Sequence, residues 1–159
     1  MELGSRVMLD DYSVLDIRGR SGGIQIGDYV SIGRFTTVVA KEAQISISDG
    51  VNIGSYCRIA TQSKIEIGSS TLFAAYCYIG PGNHQQGDEE TPLISRAMEI
   101  KGGVKIGAHC WFGAHTTVLD GVSIGEGSII GAHSLVRSDI PPHVIAAGVP
   151  AKVIRELKS

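Results

Sequence analysis

Apolar side chains recur every six residues along most of this chain. From Val104 to Val136 they fall at Ile106, Phe112, Val118, Ile124, Ile130 and Val136, with glycine next to four of them, at Gly107, Gly113, Gly125 and Gly131. An α-helix repeats every 3.6 residues and a strand every two, so neither accounts for a period of six. Six residues suit a very short strand followed by a sharp turn. Three such units close one triangular turn of a β-solenoid, a known repeat architecture.

The same phase runs upstream through Ile26, Ile32 and Val38, then Ile47, Ile53, Ile59 and Ile65, then Ile67, Phe73 and Ile79. Apolar residues two apart, which share one face of a strand, open each coil: Ile24/Ile26, Ile45/Ile47, Ile65/Ile67, Val104/Ile106 and Val122/Ile124. Coils therefore start at 26, 47, 67, 106 and 124, at intervals of 21, 20, 39 and 18 residues. The interval of 18 is three hexads; those of 20 and 21 leave two or three residues to bulge from a corner. The interval of 39 predicts that the chain leaves the solenoid between Gly80 and Gly103. A second column, four residues after each leading position, holds Val30, Thr36, Val51, Cys57, Thr71, Cys77, Cys110, Thr116, Ser128 and Ser134. These small or β-branched residues fit beside the larger ones in a narrow interior, which assigns the three cysteines to packing. No C-x-x-C spacing suggests a metal.

The boundaries follow. Residues 1–23 hold no clean register and read as an N-terminal cap or imperfect coil. Residues 24–141 form the repeat, with an inserted loop at 80–103. Residues 142–159 form a tail with an extended VIAAG piece and a short strand or helical cap at 151–158. The chain's 159 residues suit one domain, and its 21 glycines suit repeated turns. A net charge of −2 argues against a broad nucleic-acid surface. No stretch of about 18 apolar residues predicts a membrane span. The first residues lack the apolar core of a signal peptide, so a cytoplasmic location is expected.

A solenoid alone is a scaffold, so chemistry is sought in its irregularities. His115 and His133 occupy the corner place held by Phe35, Tyr56 and Tyr76 in earlier coils, an outward ladder that suits packing between subunits. A metal site among His109, His115 and His133 is the sharper alternative, although it lacks a ligand spacing. His84 stands apart. It heads the inserted loop after Gly80-Pro81-Gly82 and Asn83, and an imidazole there can take a proton from a hydroxyl or amine. The competing reading is a loop histidine with a structural hydrogen bond. Asp88-Glu89-Glu90 reads as a solvated charge run.

The repeated Ile-Gly, the GNH at 82–84 and the stretch KGGVKIGAHCWFGAHTTVLDGVSIGEGSIIGAHSLVRSDIPPHVIAAGVPAKVIRE at 101–156 resemble the hexapeptide-repeat acyltransferases. The similarity is to the acetyltransferases of galactosides, maltose, streptogramin antibiotics and polysaccharide sugars, and covers about residue 24 to the end. It implies a left-handed parallel β-helix, a hand that periodicity does not reveal, and a homotrimer with active sites between subunits. It also implies direct transfer from acetyl-CoA to a hydroxyl, without a metal or an acyl-enzyme, with His84 as the general base. Asn83 and Gln85 would contact the acceptor. A backbone N–H near Gly113 and Ala114 would face the oxyanion, and Trp111 would pack along the pantetheine. The corner from Ala132 to Ser138 would meet the cofactor, although Arg137-Ser138 stands where relatives often carry Thr-Lys. Lys152 and Arg155 would reach the nucleotide end. The acceptor implied is a sugar or polysaccharide precursor, with an antibiotic hydroxyl next. Two other classes stay open: a zinc enzyme like the carbonic anhydrases built on this solenoid, and a non-catalytic scaffold.

Overall fold

A computed structural model describes residues 1–20, 22–80, 82–87 and 90–158. Pro81 of the sharp turn, Asp88 and Glu89 of the charge run, Ser21 and Ser159 lie outside the described residues. The chain winds into a parallel β-solenoid with three sheets as its walls. Along the first wall lie Glu2–Leu3, Gly23–Ile26, Gln44–Ile47, Ile65–Ile67, Val104–Ile106 and Ser123–Ile124, each paired in parallel with the next. The expected coil starts each fall on one of these strands. There is no α-helix among the described residues, only a 3-10 turn at Leu93–Ser95.

At the N-terminus the coil alternative is the one found, and at the C-terminus the wall continues past residue 141. Glu2–Leu3, Met8–Leu9 and Val14–Arg18 add one strand to each wall, so the first residues form a coil of their own. Leu3, Leu9 and Leu15 stand opposite Ile26, Ile32 and Val38. At the other end Val144–Gly148 continues the second wall in parallel with Ile129–Ile130, and Ala151–Glu156 folds back antiparallel onto it. A parallel stack ends in unpaired N–H and C=O groups, and the reversed strand covers part of that edge.

The interior has the two expected columns. Ile24, Ile32, Ile45, Ile59, Ile79, Phe112 and Ile130 are wholly buried, and the rings of Phe73 and Phe112 stack at 4.6 Å in successive coils. All ten small-column residues are buried. Their hydroxyls donate to carbonyls of the wall: Thr36 to Gly54, Thr71 to Gly107, Thr116 to Gly113, Ser128 to Pro141 and Ser134 to Gly131. The thiols behave alike, Cys57 and Cys77 towards Ala74 and Cys110 towards Gly125. Burial pushes the Cys110 thiol above its ordinary pKa, and the contact with Cys57, added to burial, pushes Cys77 up as well. Both stay as unreactive thiols at neutral pH. Cys77 and Cys110 are therefore expected to resist a thiol reagent in the folded protein and to react once it is denatured. Rapid labelling of Cys110 without unfolding would contradict that placement.

The corner between the second and third walls has a backbone feature that the period does not show. Tyr12, Phe35, Tyr56, Tyr76, His115 and His133 all sit at φ between 58° and 63°. A residue with a Cβ gives up about 1–2 kcal/mol in this left-handed region. Here the six rings form one continuous stack, with centroids 4.7–5.1 Å apart. Stacked pairs contribute about 0.5–1.5 kcal/mol each, comparable to the backbone cost.

Candidate functional site

The loop leaves the third wall after Tyr78–Ile79 and returns to the first at Val104–Ile106. Its stem is a two-residue antiparallel ladder in which Asn83 faces Glu99 and His84 faces Met98. The Gln85 N–H extends the ladder to the Ala97 carbonyl at 2.8 Å. Residue alternation along a strand sends neighbouring side chains to opposite sides, and the stem separates two clefts accordingly. His84 lines one of about 220 Å³, together with Lys41, Arg58, Tyr78, Glu99 and Asp120. Asn83 lines the other, about 450 Å³, together with Lys101, Leu119, Arg137 and Ser138.

His84 Nδ1 lies 3.0 Å from the Arg96 carbonyl oxygen. A carbonyl only accepts, so Nδ1 is the donor, and in the neutral ring the lone pair is on Nε2. The structural hydrogen bond and the proton-accepting role, alternatives on sequence grounds, are thus compatible: one nitrogen is anchored and the other is left basic.

Asp120 holds the loop's return. Its Oδ1 accepts the Gly103 N–H at 2.8 Å, and its Oδ2 accepts the Lys101 N–H at 2.7 Å and the Ser63 hydroxyl at 3.3 Å. The Gly121 N–H in turn donates to the Gly103 carbonyl at 2.7 Å. Gly103 has φ +100°, and a Cβ there would collide with the Lys64 carbonyl oxygen, so the return turn needs glycine. Sequence reasoning passed over Asp120, a single acid in a Leu-Asp-Gly turn. Asp120→Ala is expected to cost about 1–3 kcal/mol, the scale of stranding the amides it receives. The Lys101 and Gly103 amides would then exchange hydrogen faster while the wall amide of Gly107 keeps its protection. Unchanged exchange at all three would show that the strap holds without Asp120.

The other expected site residues separate into groups. Trp111 is half exposed on the second wall and lines neither cleft. On that wall's outer face it heads a rung that runs through Ile129 and Ile145 to Arg155. Lys152 is exposed on the same reversed strand, opposite Ala147. Gly113, Ala114 and Ala132 lie at the corner with the ring stack. Two expectations change. The Gly113 N–H donates to the Ile130 carbonyl at 2.8 Å, so the wall ladder has consumed it. The Ala114 and Ala132 N–H groups, in the turns just beyond, have no partner among the described residues and are among the donors left at this corner. Gln85, expected at the acceptor, lines neither cleft: it lies one residue beyond the paired stem of Asn83–His84.

The histidine metal site also fails within one chain. The rings of His115 and His133 are nearly parallel, 9° apart, with centroids at 4.7 Å. Ring-nitrogen lone pairs lie in the ring plane, so two stacked imidazoles cannot aim at one ion. His109 sits at a different corner, between the first and second walls. Among the described residues no three His, Cys, Asp or Glu groups converge on a point that could hold a metal. No described helix is long and apolar enough to cross a membrane.

Residues 103–138 match the bacterial transferase hexapeptide family (six repeats). A probable acetyltransferase of Mycobacterium tuberculosis is 39% identical over 132 residues, covering 83% of this chain and 44% of the relative. An Escherichia coli K12 relative, whose name assigns it to O-acetyl transfer in lipopolysaccharide biosynthesis, is 38% identical over 119 residues, covering 70% of this chain and 60% of its own length. The chain thus spans about half the length of these curated relatives. Among solved structures, AntD of Bacillus cereus, an N-acyltransferase in complex with dTDP and 3-hydroxybutyryl-CoA, superposes with a TM-score of 0.55 at 26% identity. It covers 98% of this chain and 72% of that one.

Proposed function

We propose that this chain, which carries bacterial transferase hexapeptide repeats over residues 103–138, is an acetyl-CoA-dependent O-acetyltransferase acting on a hydroxyl of a sugar or polysaccharide precursor. The observation that carries the reading is the fixed imidazole of His84, with Nδ1–H on the Arg96 carbonyl and a basic Nε2 on a ring that lines a cleft. Nε2 takes the proton of the acceptor hydroxyl, and the oxygen bonds to the acetyl carbonyl carbon. The carbon–sulfur bond breaks, and the departing thiolate receives the proton from the imidazolium. Charge that builds on the carbonyl oxygen needs an N–H donor, and the unpaired Ala114 N–H can serve. No side chain is acylated in this scheme, in keeping with three cysteines sealed in the core.

The outer rung of the second wall suits the coenzyme. Trp111 and Arg155 are three strand spacings apart, about 14 Å, with Ile129 and Ile145 between them. An apolar track that ends in a cation fits a thioester arm followed by phosphates. Arg137 and Ser138, in the Asn83 cleft beside the third wall, would meet a coenzyme carried on the second wall of another copy. The names of the relatives support acyl transfer, and the AntD complex supports a CoA thioester as donor.

His84 belongs to a cleft against the third wall and Trp111 to the second wall, so one copy does not bring base and coenzyme track together. A homotrimer that sets one subunit's third wall against the next subunit's second wall does so. The six-ring stack, on the corner between those walls, would lie at this junction. The test is release of free thiol from acetyl-CoA with a panel of monosaccharides, alongside sedimentation of the protein. Acceptor-dependent thiol release by a trimer is expected. A stable monomer at micromolar concentration, or release that no hydroxylated acceptor stimulates, would refute the proposal.

A further inference from the structure

The cleft that holds His84 has an unbalanced charge distribution. Its two carboxylates are already engaged. Asp120 accepts from Lys101, Gly103 and Ser63, and Glu99 Oε2 lies 3.5 Å from Lys101 Nζ. Its two long cations are not neutralised. Neither Lys41 nor Arg58 forms an ion pair among the described residues, and Arg58 makes a neutral side-chain contact, Nη1 to the Thr37 hydroxyl at 3.2 Å. Both belong to the third wall. Arg58 opens the strand Arg58–Thr61 and Lys41 ends the neighbouring strand Thr37–Lys41, four positions further along the shared register. That offset separates their backbones by about 14 Å, so they flank the cleft and reach into it from two ends.

A guanidinium and an ammonium left unpaired beside a catalytic base, with Glu99 paired to Lys101 and Asp120 turned to the loop amides, outnumber the one carboxylate without a cation partner, a local positive balance that favours an anionic ligand. We infer that the acceptor is an anionic sugar unit, one ring with a phosphate or carboxylate substituent. Lys41 and Arg58 hold the anion, and a hydroxyl of the same ring faces His84. The cleft's size sets the scale. About 220 Å³ lies below the 300–1,000 Å³ typical of pockets for larger ligands, so it takes a ring and its substituent. This inference rests on the acyl-transfer reading for the role of the hydroxyl, but not for the anion's place.

The two claims can be tested separately. Calorimetry compares binding of glucose, glucose 6-phosphate and glucuronate to the intact wild-type protein and to Lys41→Ala, Arg58→Ala and Arg58→Lys, without acetyl-CoA. At least one charged sugar is expected to bind roughly tenfold or more tighter than glucose, the scale of a hydrogen bond to a charged group. Each alanine variant should remove most of that preference, and Arg58→Lys should keep part of it. The phosphate-to-carboxylate ratio then identifies the substituent. Absence of a charge preference in the wild type, or a preference that survives both alanine substitutions, overturns the inference. Thiol release in the same samples reports on acyl transfer independently: a protein that prefers anionic sugars yet never releases thiol refutes the proposed reaction and leaves the anion site standing.

Discussion

His84→Ala is expected to lower turnover by about 10²–10⁴-fold, the usual contribution of a positioned general base, while the protein folds and assembles as before. His84 is exposed at the stem of the loop and fills no interior column, so its removal leaves no cavity. Its side-chain bond is with a carbonyl on the far strand of the same stem. Coenzyme binding should persist, because the track from Trp111 to Arg155 lies on another wall. His84→Gln separates anchoring from basicity: its amide can donate to the Arg96 carbonyl, yet it cannot accept a proton, and it should be as slow as alanine. A folded His84→Ala protein that turns over a good acceptor at near wild-type rate would refute the mechanism.

Phe112→Ala is expected to cost about 3–5 kcal/mol, as large-to-small changes in a tight interior do. Phe112 is wholly buried and stacks on Phe73, the two phenyl rings lying where neighbouring coils place Ile53 and Ile130. The walls are tied by parallel ladders above and below, through Leu72–Phe73 and Ile129–Ile130, and cannot close on the void. The denaturant midpoint should fall with little change in slope. Phe112→Leu should recover part of the loss. Because Trp111 and the Ala114 turn adjoin Phe112, activity is expected to fall below the transition as well. A loss of under 1 kcal/mol for Phe112→Ala would mean that the coil collapses around the gap.

The solenoid is legible in the sequence because its period is a steric requirement: every sixth side chain must enter a triangular interior, and only a few residue shapes fit. That is why Ile26, Ile47, Ile67, Ile106 and Ile124 mark the coils, and why the cysteines could be placed without coordinates. The first coil was legible only as a cap or an imperfect coil: its leading residues, Leu3, Leu9 and Leu15, keep the spacing of six, but only Leu3 is followed by glycine, and exposed neighbours blur the pattern. The excursion at 80–103 was visible only as a break in the period. Its contents depend on contacts between residues far apart in the chain, such as Asp120 with Gly103 and His84 with the Arg96 carbonyl, and a two-residue ladder leaves no alternation to read. The loss of the Gly113 N–H to the wall follows from stacking order, which spacing does not reveal.

The attachment of the loop has a consequence for how such a chain can change. Gly80 donates to the Val118 carbonyl, and Gly103 is held by Asp120 and Gly121, so the loop departs from and returns to one corner of one coil. The walls above and below register without it. Lengthening it then costs little, since doubling a flexible loop adds only about 0.6 kcal/mol of closure entropy. On the proposed reading, the loop residues around His84 can therefore be exchanged, extended or shortened as a cassette, while Lys41 and Arg58 on the wall and the track from Trp111 to Arg155 stay unaltered. The shape of the acceptor site can then vary around a constant anion contact by changing one insertion, with no need to refold a core.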